Sequence, residues 1–242
     1  YYLHNEALEY HFLYHVLPKL QKLTQVYATT AVRNRILRES ARPQIRIKMK
    51  KERTNWLEFK FEMTGIHDDE IRDVLQALEE KRKYYRLQSG SLLSLESREF
   101  AEIDRFLKAA PVQKEDIESS FDVPLIQGMR LLSNTDQTDT FQLEQSFRQF
   151  LQNIQHPDQL DYDVPPHLIS ILRPYQVQGY KWMKMMAHYR FGGILADDMG
   201  LGKTLQSITF LLSELAEIRH KQKPALIVCP SSLTYNWRSE IE

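Results

Sequence analysis

The chain has 242 residues, enough for one or two domains, and its 32 basic and 32 acidic side chains leave no net charge from which to infer a nucleic-acid partner. Its single cysteine, Cys229, excludes a disulfide framework. No apolar run approaches the ~20 residues that span a bilayer, and the charged first segment is no signal peptide, so a soluble, cytoplasmic protein without a membrane partner is expected.

Between Tyr2 and Lys22 apolar residues recur at helical spacing, with Leu8, Phe12, His15 or Val16, and Leu20 sharing one face. His11 and His15 stand four apart, which is a metal-ligand spacing. With no Glu between them and no third ligand in view, they read as helix residues beside Tyr10, Phe12 and Tyr14. An extended piece at 25–29 precedes a helix at 31–38. Ile45, Ile47 and Met49 then alternate with Arg46, Lys48 and Lys50, and Leu57, Phe59, Phe61 and Met63 alternate with Glu58, Lys60 and Glu62. That pattern predicts a β-hairpin with one wet face. A helix over 68–82 buries Ile71, Val74, Leu75 and Leu78, its acidic start (Asp68, Asp69, Glu70) serving as N-cap and first turn. A second hairpin, 84–88 with 92–95, turns at Ser89-Gly90, and helices follow over 97–109 and 140–153. Local hairpins mixed with helices point to an α+β domain.

From Arg33 to Arg53 nine basic residues meet only Glu39 and Glu52. Arg46, Lys48 and Lys50 form a stripe on one strand face, a candidate track for DNA phosphates. The competing reading pairs them with Glu58 and Glu62 across the hairpin, since a register setting Ile47 opposite Phe59 also sets Lys48 opposite Glu58. Further on, Leu143, Phe147, Phe150, Leu151 and Ile154 form an amphipathic helix, and Pro165-Pro166 closes an extended linker. The expected organisation is an accessory domain at 1–132, helix and linker at 133–166, and a second domain at 167–242.

The run Asp197-Asp198-Met199-Gly200-Leu201-Gly202-Lys203-Thr204 lies between the apolar Ile194-Leu195-Ala196, read as a strand, and a helix carrying Leu205, Ile208 and Leu212. A strand, a glycine turn, Lys-Thr and a helix form the arrangement that wraps nucleotide phosphates. Gly200 and Gly202 admit positive φ and close backbone approach. Lys203 would neutralise the β- and γ-phosphates, and Thr204 would offer its hydroxyl to Mg²⁺. The general pattern has glycine where this chain has Asp197.

Three segments stand in order: L-R-P-Y-Q-V-Q-G-Y-K-W at 172–182, G-G-I-L-A-D-D-M-G-L-G-K-T at 192–204, and L-I-V-C-P-S-S-L-T-Y-N-W at 226–237. Together they resemble the Swi/Snf family of superfamily II helicase-like ATPases. The stretches N-W-L-E-F-K-F-E-M-T-G-I at 55–66 and K-R-K-Y-Y-R-L-Q-S-G-S-L-L-S-L at 81–95 resemble the accessory region of its bacterial members. The resemblance implies an α+β accessory domain followed by the incomplete start of an α/β P-loop (RecA-like) lobe. It also implies ATP and Mg²⁺ as ligands, double-stranded DNA as partner, and a bacterial, nucleoid-associated location. Gln176 matches the adenine-reading glutamine, whose amide both donates and accepts. Arg173, Gly200, Leu201, Gly202, Lys203 and Thr204 carry over to the nucleotide site. Ser231 and Ser232, after an apolar strand at 225–229, match the segment facing DNA, though as small hydroxyls they equally suit a helix cap.

Hydrolysis in this family also needs an Asp-Glu pair after a buried strand and arginines from a second lobe, and neither follows Lys203. The chain therefore reads as an internal fragment that binds nucleotide without turning it over. Its parent reads as an ATP-driven translocase on duplex DNA. The alternatives are a strand-separating helicase and a binding or scaffold protein switched by nucleotide.

Overall fold

The computed structural model describes residues 5–27, 29, 42–112, 118–133 and 138–242. In the unit Tyr1–Phe147, strict apolar alternation sets two neighbouring strands, β1 (Pro43–Met49) and β2 (Trp56–Met63). They pair antiparallel with Ile47 opposite Phe59 and Lys48 opposite Glu58, the register on which the charge-pairing alternative rests. β2 also pairs antiparallel with an unanticipated strand, and β1 pairs parallel with a short one. The result is a mixed four-stranded sheet in the order β5-β2-β1-β6, where β5 is Ser120–Pro124 and β6 is Phe141–Leu143.

Ile45, Ile47, Leu57, Phe59 and Phe61 on one sheet face have no exposure at all. Helices α3 (Asp68–Glu79), α4 (Arg98–Ala109) and α5 (Leu125–Ser133) contact the sheet. Phe106 of α4 meets Phe59, Phe121 and Phe141 at ring distances of 5.2, 6.1 and 5.4 Å. α3 buries Ile71, Val74, Leu75 and Leu78, as its spacing predicts, but its N-cap is His67, so all three acidic residues fall in the first turn. The hairpin of β3 (Tyr84–Arg86) and β4 (Leu92–Ser94) turns through Gly90 at φ +84. Glu102 lies on α4, which follows the hairpin in the chain. Burial alone would raise its carboxyl, but hydrogen bonds from Thr138 (2.6 Å), Thr140 (2.6 Å) and Arg98 (2.9 Å) outweigh burial and hold it below the ordinary value.

Two further expectations for this unit change. The first helix is interrupted: α1 (Glu6–His11) and α2 (Leu17–Leu23) flank a π-helical turn at Phe12–Val16. Pro18 has no N–H and its ring crowds the carbonyl four residues earlier, which favours a wider turn just before it. The buried residues are Leu13 and Leu17, whereas Leu8 is 56% exposed and Phe12 and Leu20 also face outward. Contacts with the β3–β4 hairpin choose that face. Tyr14 donates to Leu92 O at 3.1 Å, Tyr10 packs on Tyr84, and Arg86 pairs with Glu9 at 2.7 Å. The helix expected from residue 140 instead begins at Gln145, as α6 (Gln145–Gln155), because Phe141–Leu143 is captured by β1. The helix expected at 31–38 lies outside the described residues.

The unit Arg148–Glu242 takes up the C-terminal part of α6, the linker, and three further helices: α7 (Pro174–His188), α8 (Lys203–His220) and α9 (Thr234–Ile241). Phe150 meets Tyr189 edge-on at 4.7 Å, Asn153 donates to the Tyr189 hydroxyl at 2.9 Å, and the Tyr180 hydroxyl donates to Asp163 O at 2.8 Å. Lys184 of α7 pairs with Glu214 of α8. The two apolar runs expected as strands, 194–196 and 225–229, pair with no described residue. Ile194 is 87% and Leu226 86% exposed. A strand takes its hydrogen bonds from a neighbour, and neither run has a ladder partner among the described residues.

Candidate nucleotide-binding site

The loop before α8 is built for close approach. Gly200 and Gly202 adopt φ of +85 and +76, a region that strains any residue with a Cβ. A Cβ at Gly202 would also stand 2.5 Å from Gln176 Nε2. The first hydrogen bond of α8 runs from Gln206 N to Gly202 O at 3.1 Å. The amides of Lys203, Thr204 and Leu205 therefore have no acceptor within the helix, and no side chain caps it. Open amides and a helix dipole of this kind favour an anion at such a turn.

Lys203 Nζ donates to Asp197 O at 2.6 Å and Asp198 O at 2.8 Å. Among the described residues no carboxylate pairs with it, so its charge rests on neutral carbonyls that a phosphate oxygen would outbid. Thr204 is half-buried in the first turn. Gln176, at 5% exposure, bridges two elements: Oε1 accepts from Arg173 N at 2.9 Å, and Nε2 donates to Leu201 O at 3.0 Å. A side-chain amide has two hydrogens and two lone pairs, so one of each is left for a ligand. Tyr175 donates to the same Leu201 carbonyl at 3.0 Å. The start of α7 is thereby tied to the glycine loop. Gln176, Leu201, Gly202 and Lys203 are brought together, and Arg173 joins them through its backbone while its side chain is exposed.

Residues 1–165 match the family described as bacterial SNF2 helicase associated, and residues 175–242 match the SNF2-related domain. The chain belongs to the SNF2 family. Among relatives in that family, "Probable ATP-dependent DNA helicase CHR23" of Arabidopsis thaliana is 31% identical over 165 residues, covering 67% of this chain and 15% of its own length. "Uncharacterized ATP-dependent helicase" of Mycoplasma pneumoniae is 44% identical over 88 residues, covering 36% of this chain and 8% of its own length. "Helicase SWR1" of Debaryomyces hansenii is 48% identical over 82 residues, covering 34% and 5%. The chain thus spans between 5% and 15% of the length of these SNF2-family relatives. No solved structure matches it.

Other expected site residues of this SNF2-family chain lie elsewhere. Ser231 and Ser232 form an exposed turn ahead of α9. Leu233 is the N-cap of α9 and no side chain caps it, so neither serine fills the alternative capping role. Arg46 pairs with Glu62 at 2.8 Å, Lys48 with Glu58 at 3.1 Å, and Lys50 with Asp122. The bond to Asp122 holds the Lys50 ammonium above its ordinary value. The basic stripe is thus matched by carboxylates on the neighbouring strands. His11 and His15 lie 5.4 Å apart, ring to ring, and no metal-binding group of three is found among the described residues. No helix among them is long and apolar enough to cross a membrane.

Periodicity did not single out Gln206 and Thr209, the two buried positions of α8. Both are polar, and so do not extend the apolar spacing of Leu205, Ile208 and Leu212. Their only sequence signal was their place one and two turns beyond Lys203.

Proposed function

We propose that the SNF2-family protein carrying this chain is an ATP-dependent translocase on double-stranded DNA, and that residues 197–204 hold its triphosphate. The observation that carries this reading is the glycine loop with its open helix amides and the uncompensated Lys203 ammonium. Gly200, Leu201 and Gly202 would line the phosphates, Lys203 would meet the β- and γ-oxygens, and Thr204 would hold Mg²⁺. The free donor and acceptor of Gln176 would read adenine beside Arg173. ATP supplies the phosphoryl group whose transfer to water drives such motors, with Mg²⁺ neutralising its charge.

The name of the Arabidopsis relative, a probable ATP-dependent DNA helicase, supports DNA as the track. For contact with it, the exposed Ser231-Ser232 turn is favoured over the β1 stripe, because Arg46, Lys48 and Lys50 already face carboxylates. Residues 1–132 serve as accessory domain, 133–166 as connection, and 167–242 as part of a RecA-like lobe. Strand separation is not implied.

The test is ATP hydrolysis by the full-length protein with and without duplex DNA. We expect DNA-stimulated turnover that falls about a hundredfold or more in Lys203→Ala. Nucleotide binding without DNA-stimulated turnover would replace the motor with a nucleotide-switched scaffold.

A further inference from the structure

Gln206 is completely buried one turn into α8. Its Nε2 donates to Asp197 Oδ2 at 2.8 Å, while its Oε1 has no partner among the described residues. A buried amide oxygen without a donor costs stability, and a leucine or methionine would fill the same space without that cost. The glutamine must therefore be used through its N–H. The close fit supports this: a Cβ at Gly179 of α7 would overlap Gln206 Oε1, so α7 carries a glycine where it crosses the side chain.

Asp197 is the residue through which Gln206 acts. It opens the phosphate loop, in the place where the general pattern has glycine, and its carbonyl accepts from Lys203 Nζ at 2.6 Å. One residue is thus held twice, its carboxylate by Gln206 and its carbonyl by Lys203. A loose carboxylate at the mouth of an anion-binding loop would repel a triphosphate and could recruit the lysine as its own partner. With Gln206 holding it against α8, Lys203 is left on neutral carbonyls.

We infer that Gln206 is a positioning residue for the phosphate loop, clamping Asp197 so that Lys203 stays available to the triphosphate. This rests on the nucleotide reading of the loop.

The probe is magnesium-bound fluorescent ATP analogue, titrated into the full-length protein, with thermal unfolding measured in parallel. Gln206→Met removes the donor at similar volume. We expect about tenfold weaker binding with an unfolding midpoint no lower than wild type, because the orphaned oxygen goes as well. A purely structural role would lower the midpoint instead. Gln206→Glu sets two carboxylates together and should bind more weakly still. Adding Asp197→Asn to Gln206→Glu restores a donor–acceptor pair with the roles reversed, and should recover most of the loss. Unchanged binding in Gln206→Met, or no recovery in the double variant, would overturn the clamp. Lys203→Ala separates the two readings: if it abolishes binding while Gln206→Met does not, the nucleotide site stands and the clamp falls. If Lys203→Ala binds like wild type, the nucleotide reading itself is wrong.

Discussion

Gly179 and Glu102 show how single side chains set local energetics in the two units. Alanine normally improves a helix interior by about 1 kcal/mol over glycine, yet a Cβ at Gly179 would run into Gln206. Overpacking costs about 1–3 kcal/mol, so Gly179→Ala should lower the stability of the Arg148–Glu242 unit, measured by denaturant unfolding. A gain would mean that α7 and α8 part without cost. Glu102 behaves differently because its effect depends on pH. Its folded carboxyl lies below the ordinary value, so its contribution is full above that value and is lost as pH falls through the depressed one. Glu102→Gln should therefore cost about 1–2 kcal/mol at neutral pH, and the gap to wild type should close below about pH 4. Unfolding midpoints of both proteins across that range test the sign.

Among the elements, the β1–β2 hairpin was fully legible, and its charges now have partners. Strict alternation over Ile45–Met49 and Leu57–Met63 excludes a one-residue slip, which would turn every apolar residue outward, and the observed register keeps them all on the buried face. Ion pairs this exposed contribute about 0–1 kcal/mol, so Lys48→Glu should destabilise by less than about 1 kcal/mol, and adding Glu58→Lys should restore it. Since the stripe is already neutralised, reversing Arg46, Lys48 and Lys50 together should leave duplex-DNA affinity unchanged; a marked fall would reinstate β1 as a phosphate track. The π-helical turn was not legible. Leu8-Phe12-Leu20 and Leu13-Leu17 are both apolar stripes, and contacts of Glu9, Tyr10 and Tyr14 with the β3–β4 hairpin favour the second. β6 was missed for the same kind of reason, because Phe141–Leu143 continues a helical pattern and is extended only by pairing with β1.

For the whole molecule, nucleotide should act first on the unit that holds the loop. A ligand that binds only the folded form stabilises it by mass action. Magnesium-bound ATP should slow hydrogen exchange in the first turns of α7 and α8, where Gln176, Tyr175 and Lys203 converge. Amides of the β1–β2 ladder should keep their rates. Protection appearing in that ladder as well would mean that the accessory region senses the nucleotide. The packing of Phe150 and Asn153 on Tyr189 gives α6 a firm seat at the far end of α7, so Phe150→Ala should cost about 3–5 kcal/mol and open residues 156–165 to protease.

Local chemistry in the sequence was sufficient for whatever depends on neighbours along the chain. The glycine loop needs two positive-φ positions and a helix start, and the hairpin needs alternation; both are written within about a dozen residues. Three features were decided by tertiary structure alone. The apolar runs at 194–196 and 225–229 carry strand-like residues, but a ladder requires a pairing partner, and neither run has one among the described residues. Gln176, predicted to read adenine, also fastens α7 to the loop through a carbonyl 25 residues away. Gln206 was not singled out by the sequence, and its burial depends on the glycine of another helix that closes over it. Contacts between distant segments leave no periodicity, which is why these three could only be seen in the fold.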